Sequence, residues 1–460
     1  MQHRSVHRLI TALLATAALA TTTSAQPAQA VRDQGVYTMA LTGDAIITRR
    51  LSPYREPGFL RLIELIRGAD VAFTNLEVLF HDFEPYPMHA SGGTYMRAEP
   101  ELAKELAWAG FDLVSLANNH TGDYGVEGMR LTIEYVRDAG LVAAGAGENL
   151  YEAREARFLE THGGRVALIS LASTFTDHSV AGKPKGAVRG RPGLSPLRHT
   201  RTRIITRAQA DAMRDGLRSA GINVGDGERF SVFGERFETG ETPGTRTEPD
   251  PEDVAEIAAV VRNAAALADY VIVTIHAHEG GARPAPADFV TTFARAMIDA
   301  GADVFVGHGP HYLRGIELYR NKPIFYSLGD FIFQNETLLR LPYENYARYD
   351  LAENQHVADF NAARYANDTR GFPVDREIWE SVVAVPRWRG RQLVDIQLYP
   401  ITLGFGAPPA QRGRPVLADA ALGRKIIDDL IERSRPLGTT IEWRDGIGVI
   451  RLPNDGSEGR

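Results

Sequence analysis

Five short apolar runs each stop on residues able to hold a divalent cation, and this constrains the chain's fold more than any other feature. Val36–Thr42 runs into Gly43-Asp44, Val71–Thr74 into Asn75-Leu76-Glu77, and Leu113–Ala117 into Asn118-Asn119-His120. Val271–Ile275 runs into His276-Ala277-His278-Glu279, and Val304–Val306 into Gly307-His308-Gly309-Pro310-His311. A continuous run of Val, Ile, Leu and Phe reads as a strand buried on both faces of a sheet. In open α/β sheets ligands gather beyond the carboxyl ends of the strands. The Asp, Glu, Asn and His at these ends therefore read as one site assembled from distant parts of the chain.

The connecting segments repeat one unit of helix, Gly-x-Asp turn and buried strand. Helix Phe59–Arg67 leads to Gly68-Ala69-Asp70, the helix from Pro100 to Ala109 to Gly110-Phe111-Asp112, and Ala285–Ala300 to Gly301-Ala302-Asp303. Each Gly suits the left-handed residue that closes a helix. Pro251–Leu267 re-enters the sheet through Ala268-Asp269. This alternation predicts an α/β fold.

Between Asp177 and Asp211 the rhythm breaks. That stretch has no acidic residue but carries Lys183, Lys185, Arg189, Arg191, Arg198, Arg201, Arg203 and Arg207. Its prolines and glycines predict a long loop, and Gly225 to about Pro251 reads as a further exposed insertion. We expect loop insertions over about 178–250, with the basic stretch as either a solvated surface or a cationic wall facing a polyanion. Farther on, Val382–Trp388 and Leu393–Tyr399 predict a hairpin. A helix at roughly Ala418–Arg433 and a strand near Val449–Leu452 follow. The catalytic unit is expected over 31–400, with 401–460 as an extension packing on it.

The N-terminal 1–30 reads as a secretory signal. Arg4 and Arg8 precede the apolar Leu9–Ala20, and Ala28-Gln29-Ala30 fits a cleavage site. We expect an exported protein, secreted or associated with the cell envelope, the alternative being a retained anchor. There is no Cys, so no disulfide can form. A formal charge of −7 gives no push toward nucleic acid.

Two carboxylates, an Asn and three His supply mixed nitrogen and oxygen ligation without thiolate, which suits Mn, Fe or Zn as one or two divalent transition metal ions. His276 ends six residues of strand type. His278 faces the same side only if the strand continues, and Gly280-Gly281 predicts that it turns away. Glu279 can partner a ligand imidazole.

The ordered series Gly43-Asp44…Arg49, Asn75-Leu76-Glu77, Ala117-Asn118-Asn119-His120, Gly145-Ala146-Gly147…Ala153-Arg154, His276…Glu279, Gly301-Ala302-Asp303…Gly307-His308…Pro310-His311 and Ser327-Leu328-Gly329 resembles the CapA family. This is the bacterial capsule or poly-γ-glutamate synthesis family, a branch of the calcineurin-like metallophosphoesterases. The resemblance spans about Val36 to Phe333. It implies a four-layer α/β/β/α sandwich with a metal centre at its strand ends. Glu77 matches the bridging carboxylate, with Asp44 and His311 completing one metal and Asn119, His276 and His308 the other. His120 matches the general acid. Arg49 would hold an anionic group in catalysis, and Arg198 and Glu279 would join it in binding substrate. The implied partners are an anionic polymer or small anionic substrate and envelope polymer-synthesis machinery. The sequence departs from the wider superfamily at Ile46, where a ligand His is expected, at Glu77 in place of Asp, and at Asp330 in place of the family's more common Asn.

Overall fold

Two large mixed sheets carry the apolar runs in the computed structural model, which describes residues 35–452 apart from 281, 282 and 284. The segment read as an export signal lies outside the described residues. In a ten-stranded sheet, Tyr37–Ile46 runs parallel to Val71–Leu76 and to Asp330–Phe333, and Val71–Leu76 runs parallel to Leu113–Ser115. In a six-stranded sheet, Tyr270–His276 is parallel to Gly164–Ala172 on one side and to Val304–His308 on the other. All the strands of the opening pattern are thus parallel members of one of these two sheets, so their carboxyl ends collect. The protein is a mixed α/β fold built on several mixed sheets.

Burial follows the two-residue period of a strand. Met39 and Leu41 pack with Val71 and Phe73, and with Leu168, Ile272, Val304 and Val306 of the six-stranded sheet. Ala40 and Ala72 point the other way, toward Phe59, Leu62 and Leu106 of helices Pro57–Gly68 and Leu102–Ala109. On the six-stranded sheet, Val271, Val273 and Phe305 meet Val261, Phe293 and Met297 of helices Pro251–Leu267 and Asp288–Ala300. Each such side chain contributes ~1.5–3 kcal/mol by leaving water. Gly110 and Gly301 close their helices at φ 105° and 120°. Gly68 does not: it is the last helical residue, and Ala69 beyond it is extended.

Two segments, 199–249 and the stretch between Phe333 and Glu380, differ from the sequence reading. The region expected as loop folds into a four-stranded sheet, Arg229–Val232, Glu235–Thr239, His199–Ile205 and Gly244–Pro249, with helix Arg207–Ser219. Its own small core holds Ala210, Val224 and Phe230. The hairpin Glu380–Arg389 and Gln392–Thr402 and the strand Ile447–Arg451 extend the ten-stranded sheet, so the C-terminal part shares a sheet with the first strand. Between Phe333 and Glu380, helices Tyr343–Ala347 and Val357–Tyr365 and short 3-10 turns form a stretch with no assigned role in the sequence reading.

Candidate metal centre

Strand register builds the site. In the ten-stranded sheet Asp44 is level with Asn75 on one side and Asp330 on the other. In the six-stranded sheet His276 is level with His308. The two rows meet: Asp44 Oδ1 lies 3.6 Å from His276 Nδ1 and 3.4 Å from His308 Nδ1. The pairing of Tyr37–Ile46 slips near Asp44, an irregularity of the kind that re-aims side chains beside active sites. Gly43 is required there, because a Cβ would come within 1.8 Å of the Gly329 carbonyl oxygen.

Asp44 is wholly buried, accepting from Asn75 Nδ2 at 2.7 Å and the Gly309 amide at 2.8 Å. Burial pushes its carboxyl up, but hydrogen bonds and charge from His276 and His308 outweigh this and hold it well below the usual range. Glu77 is as deeply buried, and neither of its oxygens has a hydrogen-bond partner among the described residues. Burial, then the Asp44 charge, push it well above its ordinary range. An orphaned buried carboxylate is expensive unless something cationic pairs with it. Asn119 Oδ1 and Asp330 Oδ2 are likewise buried and unpartnered.

Around these oxygens stand the imidazoles. His276 Nε2 and His120 Nε2 each lie 3.8 Å from Glu77 Oε1. His311 Nδ1 lies 2.9 Å from Asp330 Oδ1, and its backbone is left-handed at φ 64°, an uncommon state for a non-glycine residue. Burial opposes charge on His311, but Asp330 and Glu77 outweigh it and lift the imidazole to about 10. Burial also raises Asp330 to about 7 and lowers His276 to about 4. Among the described residues, three donor groups could each hold an ion: Asp44, His276 and His308; Glu77, His278 and His311; and Asp44, His311 and Asp330. The donor set is oxygen and imidazole, and its unpartnered oxygens fit a divalent cation.

The groupings correct the sequence reading in part. His278 does not turn away. Although the strand ends at His276, the His278 ring reaches back to within 3.0 Å of His276 Nε2 and lines the cavity. His308 groups with Asp44 and His276, and its Nε2 is 2.7 Å from Thr274 Oγ1. Asn119 donates to the Gly92 carbonyl and lines the cavity with Glu77, His120, His278 and His311. Asp123 was missed as well. Its Oδ2 accepts from His120 Nδ1 at 2.7 Å and from the Met96 amide at 2.8 Å. Its position three residues beyond His120, in the turn after the strand, was the available signal.

Arg49, Arg198 and Glu279, expected to bind substrate, do not line the cavity. The Arg49 guanidinium donates to the Ala410 and Arg412 carbonyls and ties the C-terminal part to the first strand's loop. Arg198 forms a two-point contact with Asp253, at 2.8 Å from both Nε and a terminal nitrogen. Asp253 is also paired to buried Arg154. Glu279 accepts from Ser173 and Thr174 hydroxyls, and Thr174 Oγ1 accepts from the His278 amide, so it supports the His278 turn. The basic stretch is largely neutralised: Lys183 pairs with Glu252 and Glu256, Arg201 and Arg203 with Glu235, and Arg207 with Glu228. These residues do not line the cavity.

The cavity itself is about 940 Å³. Glu77, His120, His278 and His311 line it, and Ile46 and Phe333 add apolar wall. Much of the remaining wall, including Asn335, Arg364, Phe372 and Asp375, comes from the stretch between Phe333 and Glu380.

Residues 38–335 match the family described as bacterial capsule synthesis protein PGA_cap. The chain belongs to this family. It is 40% identical over 433 residues to the uncharacterised protein y4sH of Sinorhizobium fredii, covering 90% of this chain and 93% of that one. It is 29% identical to the capsule biosynthesis protein CapA of Bacillus anthracis over 66% of this chain and 61% of the relative. A probable polyglutamine synthesis accessory protein of Mycobacterium tuberculosis is 28% identical over 58% of this chain and 56% of its own length. The family is of the metallophosphoesterase-like type; the two relatives just named are, by their names, a capsule biosynthesis protein and a probable polyglutamine synthesis accessory protein.

Proposed function

We propose that this is an exported accessory enzyme of poly-γ-glutamate or capsule synthesis, a metal-dependent hydrolase or acyl transferase acting on an anionic polymer. The observation that carries the proposal is Glu77, a fully buried carboxylate with two unpartnered oxygens among His120, His276, His278 and His311. Stability alone does not explain such a group. Glu77, His278 and His311, and Asp44 with His276 and His308, would hold one or two divalent ions of Mn, Fe or Zn, with Asn119 adding a neutral oxygen. A bound ion supplies Lewis acidity to the bond under attack.

The chain's own residues do the rest. Asp123 accepts from His120 Nδ1 and thereby leaves Nε2 toward the cavity, where the ring, when protonated on both nitrogens, can pass the Nε2 proton to a leaving group and keep the one held by Asp123. Ile46, Phe333 and Phe372 keep bulk water from that side of the cavity. The alternation of residues between two apolar clusters along Tyr37–Ile46 supports a four-layer α/β/β/α stacking of the sheets.

The test is turnover of γ-glutamyl polymers and of phosphodiesters by metal-supplemented wild type and His120→Ala. Polymer cleavage or acyl transfer that His120→Ala loses, with metal content retained, supports the reading. Turnover of phosphate esters alone favours the second reading, a phosphoesterase, which the superfamily-type donor set also accommodates. No turnover by wild type with any of these ions leaves a non-catalytic polymer-binding subunit.

A further inference from the structure

The cavity has a charged floor and one cationic wall. Glu77 and His311 line the floor, and His311 is bonded to Asp330, so the donors of the candidate ion site occupy that end of the cavity. Two basic side chains other than histidine line the cavity among the described residues, Arg283 and Arg364. Arg283 is paired with Asp375 at 2.6 Å and Glu377 at 3.0 Å. Arg364 has no carboxylate partner among the described residues, and its side chain donates to Thr94 Oγ1.

Aromatic rings hold Arg364 in place. Its guanidinium carbon lies 5.9 Å from the Phe360 ring centre, 5.1 Å from Tyr365 and 5.6 Å from Phe372. Packed in this way, the guanidinium is oriented before a ligand arrives, and its free edge is suited to the two oxygens of a carboxylate. The Phe372 ring also lies 5.7 Å from the His311 ring, so one phenyl side chain spans from the cationic wall to the candidate ligand cluster. On the same wall, Asn335 donates its Nδ2 to Tyr365 Oη at 3.0 Å, which leaves its buried Oδ1 without a donor. Just after Arg364 the helix ends in three consecutive left-handed residues, Ala366, Asn367 and Asp368. Such backbone persists only where surrounding contacts enforce it.

We propose that Arg364 is the substrate-anion receptor of this cavity, and that it binds a carboxylate. Asn335 Oδ1 takes an amide N–H from the same ligand. A carboxylate beside a secondary amide is the repeating chemistry of a γ-linked glutamyl chain. The inference rests on the polymer reading above and deepens it: Arg364 fixes one unit by its carboxylate and so sets which amide lies over Glu77 and His120.

The experiment is equilibrium binding by calorimetry, on the full chain, of a γ-linked glutamate oligomer, its carboxamide analogue and inorganic phosphate. Wild type, Arg364→Gln and Arg364→Lys are compared, with thermal unfolding and metal content as controls. The expected result is a loss of about 10- to 100-fold in oligomer affinity for Arg364→Gln, a smaller loss for Arg364→Lys, and unchanged carboxamide affinity, unfolding and metal content. Equal oligomer affinity in wild type and Arg364→Gln overturns the receptor assignment while leaving the polymer reading standing. A loss confined to phosphate overturns the carboxylate assignment. Failure of wild type to bind the oligomer at all overturns the polymer reading and this inference with it.

Discussion

His120 Nδ1 lies 2.7 Å from Asp123 Oδ2, and the same carboxylate is fixed by the amides of Gly92 and Met96. A carboxylate only accepts, so this contact sets the tautomer and turns the ring so that Nε2 is the working nitrogen. Asp123→Asn keeps the shape but, where its amide donates to Nδ1, excludes the doubly protonated ring from which Nε2 gives up its proton. We expect turnover to fall about 10²–10⁴-fold, comparable to His120→Ala, while metal content stays the same. Steady-state kinetics beside metal analysis checks this. Full activity in Asp123→Asn removes the dyad from the mechanism.

Arg49 bonds the Ala410 and Arg412 carbonyls and does not line the cavity. Arg49→Ala is therefore expected to cost about 1–3 kcal/mol of stability and to leave KM unchanged. Denaturant titration and substrate saturation curves measure the two effects separately. A large rise in KM without loss of stability would restore Arg49 to substrate binding.

Ile46 is two residues beyond Asp44 on the same strand and lines the cavity. Ile46 shares the cavity lining with Glu77, His278 and His311, so Ile46→His brings an imidazole to that wall. Mn²⁺ affinity is expected to rise about tenfold or more, since one extra nitrogen donor joins the set. Competition with a fluorescent chelator gives the value. An unchanged or weaker affinity shows that the imidazole does not reach the site.

His81 is fully buried against Tyr124, and burial, reinforced by the Arg97 charge, lowers its imidazole from 6.5 to about 4. The unfolded chain takes up this proton near 6.5 and the folded chain only near 4. Stability at neutral pH is therefore unaffected, and it falls as pH drops from about 6.5 to 4, by at most about 3 kcal/mol from this group. His276 and His278, also lowered by burial, add losses of the same sign in the metal-free protein. His81→Asn preserves the acceptor for the Phe83 amide and does not titrate. Its urea midpoints should fall less steeply over that pH window than those of wild type. Parallel slopes would exclude His81 as a source of acid lability.

The parallel strands and the residues at their ends were legible because buried β-branched runs and helix-closing glycines are local signals. Asp44, Glu77 and His276 needed only a strand and its end. The miss at His278 came from applying strand alternation past the point where the strand stops, since a turn can return a ring to the site. Asp330 was visible only as an unusual residue. Its meaning comes from register with Asp44, which no single strand encodes. The insertion was taken for loop because its strands are short and charged. Thr206-Arg207-Ala208-Gln209 nonetheless spells the capping box that starts its helix. Arg364 was beyond reach: what marks it is having no carboxylate partner among the described residues, within a cavity wall built by residues with no periodic pattern.

The central claim is that buried, unpartnered Glu77 is the focus of a metal site. The most direct measurement is equilibrium binding of Mn²⁺ to metal-free wild type and Glu77→Gln, with the thermal midpoint followed in parallel. The account predicts one or two equivalents and a raised midpoint for wild type, about 2.7 kcal/mol of added stability at one hundred times Kd. For Glu77→Gln it predicts a metal-free protein about as stable as wild type, because an unpartnered buried carboxyl is replaced by a neutral group of the same shape, and loss of the metal response. Equal Mn²⁺ binding by the two proteins, or none by wild type, would contradict it.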